Sequence, residues 1–160
     1  MNKLTSIPDL FYRQEVEAIL SIFSLKTSKL TNENTDIDKL MSQTNPASPF
    51  VYLSQFEFHH TLASRRGISI VFFSKPGCGS CRKWEQILLA YQHVHPAVSL
   101  YHVDVEQEPA LAHEFELFHL PAMMLYTNGQ FHGELQSEAR VSALEKAIQT
   151  NLQAPPKEQP

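Results

Sequence analysis

The sequence predicts an α/β domain in which helices flank a central mixed sheet, preceded by an N-terminal helical extension. Three observations predict it. From Phe50 onward, short β-rich apolar runs alternate with segments of helical spacing, an order that implies a largely parallel sheet covered on both faces. The run Ile68–Phe73, apolar but for Ser69, is rich in β-formers, as suits a strand buried at the centre of such a sheet. Asn128-Gly129, between two apolar runs, is a two-residue hairpin signal and adds an antiparallel edge.

Residues 1–49 read as the extension. Pro8-Asp9 open an amphipathic helix, with Ser6 or Ile7 as its cap and Tyr12, Val16, Ile19, Leu20 and Phe23 on its apolar side. It ends near Leu25, and a polar linker rich in Thr, Asn and Ser follows, with a short helical turn expected around Asp36–Met41. The domain proper is expected over residues 50–152. Phe50–Leu53 is its first strand, and Ser54 caps a helix through Phe58, Leu62 and Arg66 that Gly67 closes. Lys75-Pro76-Gly77 ends the central strand. A helix then runs from Cys78 to Tyr91, with Trp84, Ile87, Leu88 and Tyr91 on one side. Val98–Asp104 is the next strand, and Pro109 opens a helix over Ala110–Leu117. Ala122–Tyr126 and Phe131–Leu135 form the hairpin. Ser137 caps a last helix carrying Val141, Leu144, Ile148 and Leu152 on its apolar face. The polar, Pro-rich residues 153–160 read as a disordered tail.

The 160 residues suffice for one domain with appendages. A formal charge of −4 points to neither nucleic acid nor a membrane as partner, since both favour basic patches. No segment approaches the roughly 18 apolar residues of a membrane span, and the N-terminus lacks the apolar run of a secretory signal. The expected location is cytoplasmic. The two cysteines, Cys78 and Cys81, stand two residues apart, which excludes a secreted disulfide scaffold. Three readings remain: a redox pair, half of a metal site, or inert thiols.

Position favours the redox pair. Cys78 follows a buried strand and opens a helix, where unpaired first-turn N–H groups and the helix dipole stabilise thiolate over thiol. Cys81, three residues on, shares that helix face and lies within reach of a disulfide. Lys75 adds to the effect if its ammonium turns inward. Gly79 keeps the first turn accessible.

The run Ile70-Val71-Phe72-Phe73-Ser74-Lys75-Pro76-Gly77-Cys78-Gly79-Ser80-Cys81-Arg82-Lys83 resembles the active-site segment of thioredoxins. Leu120-Pro121-Ala122-Met123-Met124-Leu125-Tyr126-Thr127-Asn128-Gly129-Gln130 and Val103-Asp104-Val105-Glu106 resemble later segments of that family, and the spacings agree. The resemblance implies a thioredoxin-like fold with Cys78 as nucleophile and Cys81 as resolving thiol. It implies a cis Pro121 facing them. Leu120 would offer backbone hydrogen bonds to an extended substrate, in a docking surface that includes Gly77, Gly79 and Ser80. Some positions depart from the family. Gly77 stands where a Trp is usual and Ser80 where a Pro is usual. Phe72 occupies the place of a buried Asp that relays a proton to the resolving cysteine, and Leu100 is matched to a Lys that accompanies that Asp.

His119, two residues before Pro121, is a candidate replacement for the proton relay, set against an exposed loop histidine. Glu85 is weighed as a base against a solvated helix residue, and Asp104 is expected to cap a turn. Trp84 is expected to pack, as is one of Met123 and Met124. His59, His60, His93 and His95 are assigned to helix surfaces or ends, and no metal site is expected from them. The favoured function is thiol–disulfide exchange with protein or peptide disulfides. It needs no organic cofactor, because the electrons reside in the Cys78–Cys81 pair, and it needs an external reductase. The rival readings are a binding or assembly module on the same fold, with weak or no redox turnover, and a metal-bridged dimer.

Overall fold

The computed structural model describes residues 49–160. The helix expected over residues 8–25 and its linker lie outside the described residues. The described chain runs β1 (Phe50–Tyr52), α1 (Phe58–Ala63), β2 (Ile68–Ser74), α2 (Gly79–Val94), β3 (Ser99–Asp104), α3 (Pro109–Glu114), β4 (Ala122–Thr127), β5 (Gln130–Glu134) and α4 (Val141–Gln153). The strands form one sheet in the order β1-β3-β2-β4-β5. β1, β3 and β2 are parallel, whereas β4 runs antiparallel to β2 and β5 antiparallel to β4. The sheet is therefore mixed through its middle, not only at its edge.

Strand β2 lies at the centre and is buried along its whole length, as its largely apolar run requires. Alternation then sorts its side chains onto two faces. Val71 and Phe73 join Tyr101, Val103, Met124 and Tyr126 in one core with Phe58 and Leu62 of α1 and Leu111 of α3. Ile70, Phe72 and Ser74 point the other way, as do Leu100 and His102, which pair with Ile70 and Phe72 across the parallel ladder. Helices α2 and α4 pack against each other and complete the sandwich. Both faces being covered, Met123 and Met124 are both buried, where one was expected.

Several boundaries differ from expectation for local reasons. Helix α1 starts at Phe58, not at Ser54, whose carbonyl receives the Phe58 N–H while its hydroxyl turns to Glu57. It ends at Ala63, leaving Arg66 outside. Helix α3 stops at Glu114, and Glu116 at φ 48° turns the chain. Ser137 does not cap α4, because Arg140 holds that position with no side-chain cap. Asn128 and Gly129 both have positive φ, as the hairpin turn demands. Gly129 is further constrained, since a Cβ there would lie 2.6 Å from the Ala63 carbonyl oxygen. The tail read as disordered folds back instead: Lys157 N–H donates to the His132 carbonyl, and the Gln159 amide donates to Glu114.

Candidate active site

The end of β2 and the start of α2 build the site. Lys75-Pro76-Gly77 turns the chain out of the sheet, with Gly77 at φ 76°. That left-handed backbone suits glycine and disfavours the Trp usual at this position in thioredoxins. Cys78 is the N-cap of α2, in extended conformation, and its sulfur accepts the Cys81 N–H at 3.2 Å. The Ser80 hydroxyl lies 3.4 Å from the same sulfur. Cys78 and Cys81 are disulfide-bonded to each other, with Cα atoms 5.2 Å apart. Cys78 is half-buried and Cys81 is buried, packed in the first turn ahead of Trp84 and Leu88.

Ser74, Lys75, Pro76, Gly77, Cys78, Cys81, Arg82 and Glu85 line one open cleft. Glu85 is half-buried there and so is not a plain solvated helix residue. Lys75 is exposed, and Gly77, Gly79 and Ser80 are exposed around the disulfide. Ala122 pairs with Phe73, so Leu120 and Pro121 enter the sheet at the end from which the cysteine loop leaves. Both are half-buried, and the peptide bond between them is cis. His119 and Phe118 are exposed in the segment leading to them, Phe118 by 85%. Asp104 caps a turn by accepting the Glu106 N–H. His95, expected at a helix surface or end, is the C-cap of α2, where it is buried and lies 3.8 Å from Glu145. Among the described residues, no group of three or more His, Cys, Asp or Glu is placed to hold a metal.

Two residues at the site were missed from sequence. Ser74 and His102 share the Phe72 face of the sheet and are hydrogen-bonded at 2.6 Å. A signal was present: each is a polar residue on a mainly apolar strand, placed toward the end that carries the cysteines. The cross-strand neighbour of Phe72 is His102, whereas Leu100 lies opposite Ile70. Phe72 stacks on the His102 ring at 5.6 Å, and Phe50 and Tyr52 of β1 approach the same ring at 6.0 and 4.7 Å. Burial holds the His102 imidazole below its ordinary pKa of 6.5, against the pull of Glu85 and Asp104 in the other direction.

Comparison with known proteins agrees with this geometry. A sequence model of the thioredoxin family matches residues 49–150. Mitochondrial thioredoxin-3 of Saccharomyces cerevisiae is 27% identical over 139 residues, covering 87% of this chain and 97% of the yeast protein. Its crystal structure in the oxidised form covers 65% of this chain and 99% of its own, with a TM-score of 0.57 at 25% identity. Thioredoxin domain-containing protein 2 of Rattus norvegicus is 40% identical over 78 residues, covering 49% of this chain and 14% of the rat protein. Among the described residues, no helix is long and apolar enough to cross a membrane. The chain belongs to the thioredoxin family.

Proposed function

We propose that this chain is a thiol–disulfide oxidoreductase acting on disulfides of proteins or peptides. One observation carries the reading: a half-exposed sulfur sits on the N-cap of α2, accepts the Cys81 N–H, and is already bonded to a second, buried sulfur three residues away. An N-cap is where a thiolate is best stabilised, because first-turn N–H groups and the helix dipole converge there. Cys78 as thiolate attacks one sulfur of the substrate disulfide, and the other leaves with the electron pair. Cys81 then attacks Cys78, closes the Cys78–Cys81 bond and releases the second substrate thiolate. Two electrons pass from the dithiol to the substrate, and an external reductase restores the dithiol.

Leu120 and Pro121, beside the cysteine loop, supply the backbone edge on which an extended substrate segment docks, with Gly77, Gly79 and Ser80 opposite. Exposed Phe118 adds apolar surface next to that edge. Insulin reduction driven by dithiothreitol tests the reading. Wild type is expected to accelerate it and Cys78→Ser to abolish the acceleration. No acceleration by wild type would leave the binding-module reading in its place.

A further inference from the structure

Phe72 leaves the β2 position usually filled by an acid without a titratable group, yet resolution still requires a proton to leave the buried Cys81 thiol. We infer that Ser74 and His102 conduct that proton, with Ser74 facing the cleft and His102 acting through it as a positioning residue. The inference rests on the oxidoreductase reading and concerns only its second half. Ser74 lines the cleft together with Cys78 and Cys81, and its hydroxyl is 2.6 Å from His102 Nε2. Strand alternation puts Ser74, Phe72 and His102 on one face. The ring is fixed from three sides: Phe72 of β2 stacks on it, and Phe50 and Tyr52 of β1 meet its edges. Its Nδ1 is buried and has no hydrogen-bond partner among the described residues, so Ser74 is the contact through which it exchanges a proton.

The step balances as follows. In the mixed disulfide, Cys78 Sγ is bonded to a substrate sulfur and Cys81 is a thiol. The Cys81 proton passes to Ser74 Oγ while the Ser74 hydroxyl proton passes to His102 Nε2, which becomes imidazolium. The Cys81 thiolate attacks Cys78 Sγ, forming the Cys78–Cys81 bond and breaking the bond to the substrate. The electron pair leaves on the substrate sulfur, which is protonated by solvent. His102 then releases its proton by way of Ser74 to solvent in the cleft.

A base that acts this way must be neutral at working pH. Besides Ser74, three polar or titratable groups act on or meet the ring: Glu85 from α2, Asp104 from β3 and Tyr52 from β1. Both carboxylates favour imidazolium, and burial opposes them more strongly, so His102 is neutral near pH 7. Resolution by a neutral base is flat in pH above the His102 titration and falls about tenfold per unit below it. Resolution without a base climbs about tenfold per unit for as long as the Cys81 thiol stays protonated.

Stopped-flow reaction of the reduced full chain with a chromogenic aryl disulfide, dithiobis-nitrobenzoate, separates the two halves. The first coloured thiolate reports attack by Cys78, and the second reports resolution by Cys81. In wild type the second phase should show a plateau that breaks below pH 6.5, the ordinary imidazole value. His102→Phe keeps the stacked ring without nitrogens, and Ser74→Ala removes the bridge. Each should slow the second phase relative to the first by at least about tenfold near the break and replace the plateau with a steady climb. Should His102→Phe not fold, Ser74→Ala and the wild-type profile decide the matter. A wild-type second phase that climbs without a plateau overturns the relay. So does an unaltered plateau in Ser74→Ala, or full restoration across the pH range by His102→Gln, which keeps a hydrogen bond but cannot titrate. Loss of the first phase in wild type would instead overturn the oxidoreductase reading itself.

Discussion

Reducing the disulfide and offering limiting iodoacetamide near pH 7 should label Cys78 over Cys81 by at least about tenfold, a ratio that follows from the helix start together with the burial of Cys81. The Cys81 N–H at 3.2 Å from Cys78 Sγ becomes a hydrogen bond to a charged acceptor once Cys78 is a thiolate, a class worth about 1.5–3 kcal/mol. The dipole at the N-cap adds about 0.3–1 kcal/mol. About 2 kcal/mol in all favours thiolate over thiol at Cys78 about thirtyfold relative to an ordinary cysteine. Burial acts on Cys81 in the opposite sense, since it is 4% exposed and its thiolate is poorly solvated. Lower basicity gives back about fivefold in intrinsic nucleophilicity, and the inaccessibility of Cys81 widens the ratio again. Peptide mapping by mass spectrometry reads the outcome. The Cys81→Ser variant should retain the fast Cys78 rate and accumulate a stable mixed disulfide. Labelling chiefly at Cys81, or equally at both, would refute the argument from the N-cap.

Other consequences can be checked separately. Ser80→Ala removes the hydroxyl 3.4 Å from Cys78 Sγ and should make the reduction potential more negative by about 30 mV, the equivalent of about 1.4 kcal/mol; equilibration against glutathione gives the value, and no change rules out a role for that hydroxyl. Gly77→Ala and Gly129→Ala share a positive φ, so each should lose about 1–2 kcal/mol from backbone alone. Only at Gly129 does a new Cβ meet backbone, 2.6 Å from the Ala63 oxygen, so equal losses in denaturant melts would contradict the packing described. Glu145 is buried near His95, and burial raises its carboxyl pKa. The folded state therefore holds its proton more tightly than the unfolded state, and stability is lost as pH rises through that window. Glu145→Gln should be the more stable protein at neutral pH, with the difference vanishing below the ordinary 4.5; an advantage that grew on acidification would contradict the sign.

Strand β2, the helix after it and the β4–β5 hairpin were legible because each rests on a strong local signal. For β2 it is a nearly continuous apolar run, and for the hairpin it is Asn-Gly, whose two positive φ angles few other residues tolerate. The placement of the cysteine pair was legible because it depends on sequence-local geometry: a strand end, a turn and an N-cap within a few residues. Caps decided by tertiary contact were not legible. Ser54 and Ser137 carry capping side chains, yet neither caps, since the chain around each is committed to turns that packing fixes. The tail was misread for a related reason: its attachment consists of one backbone hydrogen bond to β5 and one side-chain contact to Glu114, neither of which leaves a periodic pattern. The Ser74–His102 contact joins residues 28 apart in sequence through strand register, and register is invisible without pairing.

Strand register also gives physical sense to the departure at position 72. A carboxylate there would sit among Phe50, His102 and the apolar side of α2, where an unpaired charge is costly. Phe72 removes that cost and adds aromatic contact on both sides, fixing the His102 ring against it. The same ring then presents Nε2 to Ser74, one alternation further along β2 and closer to the cysteine loop. An acid at position 72 and a histidine bonded to Ser74 are thus alternative ways of placing a proton acceptor on one face of the sheet. The aromatic residue that excludes the first supports the geometry of the second. Phe72→Leu separates support from mere apolar filling: it keeps the burial but loses the stack on His102. On the proposed relay it should blunt the plateau in the resolution profile without steepening the attack by Cys78. A resolution profile identical to wild type would show that the stack does nothing for the chemistry.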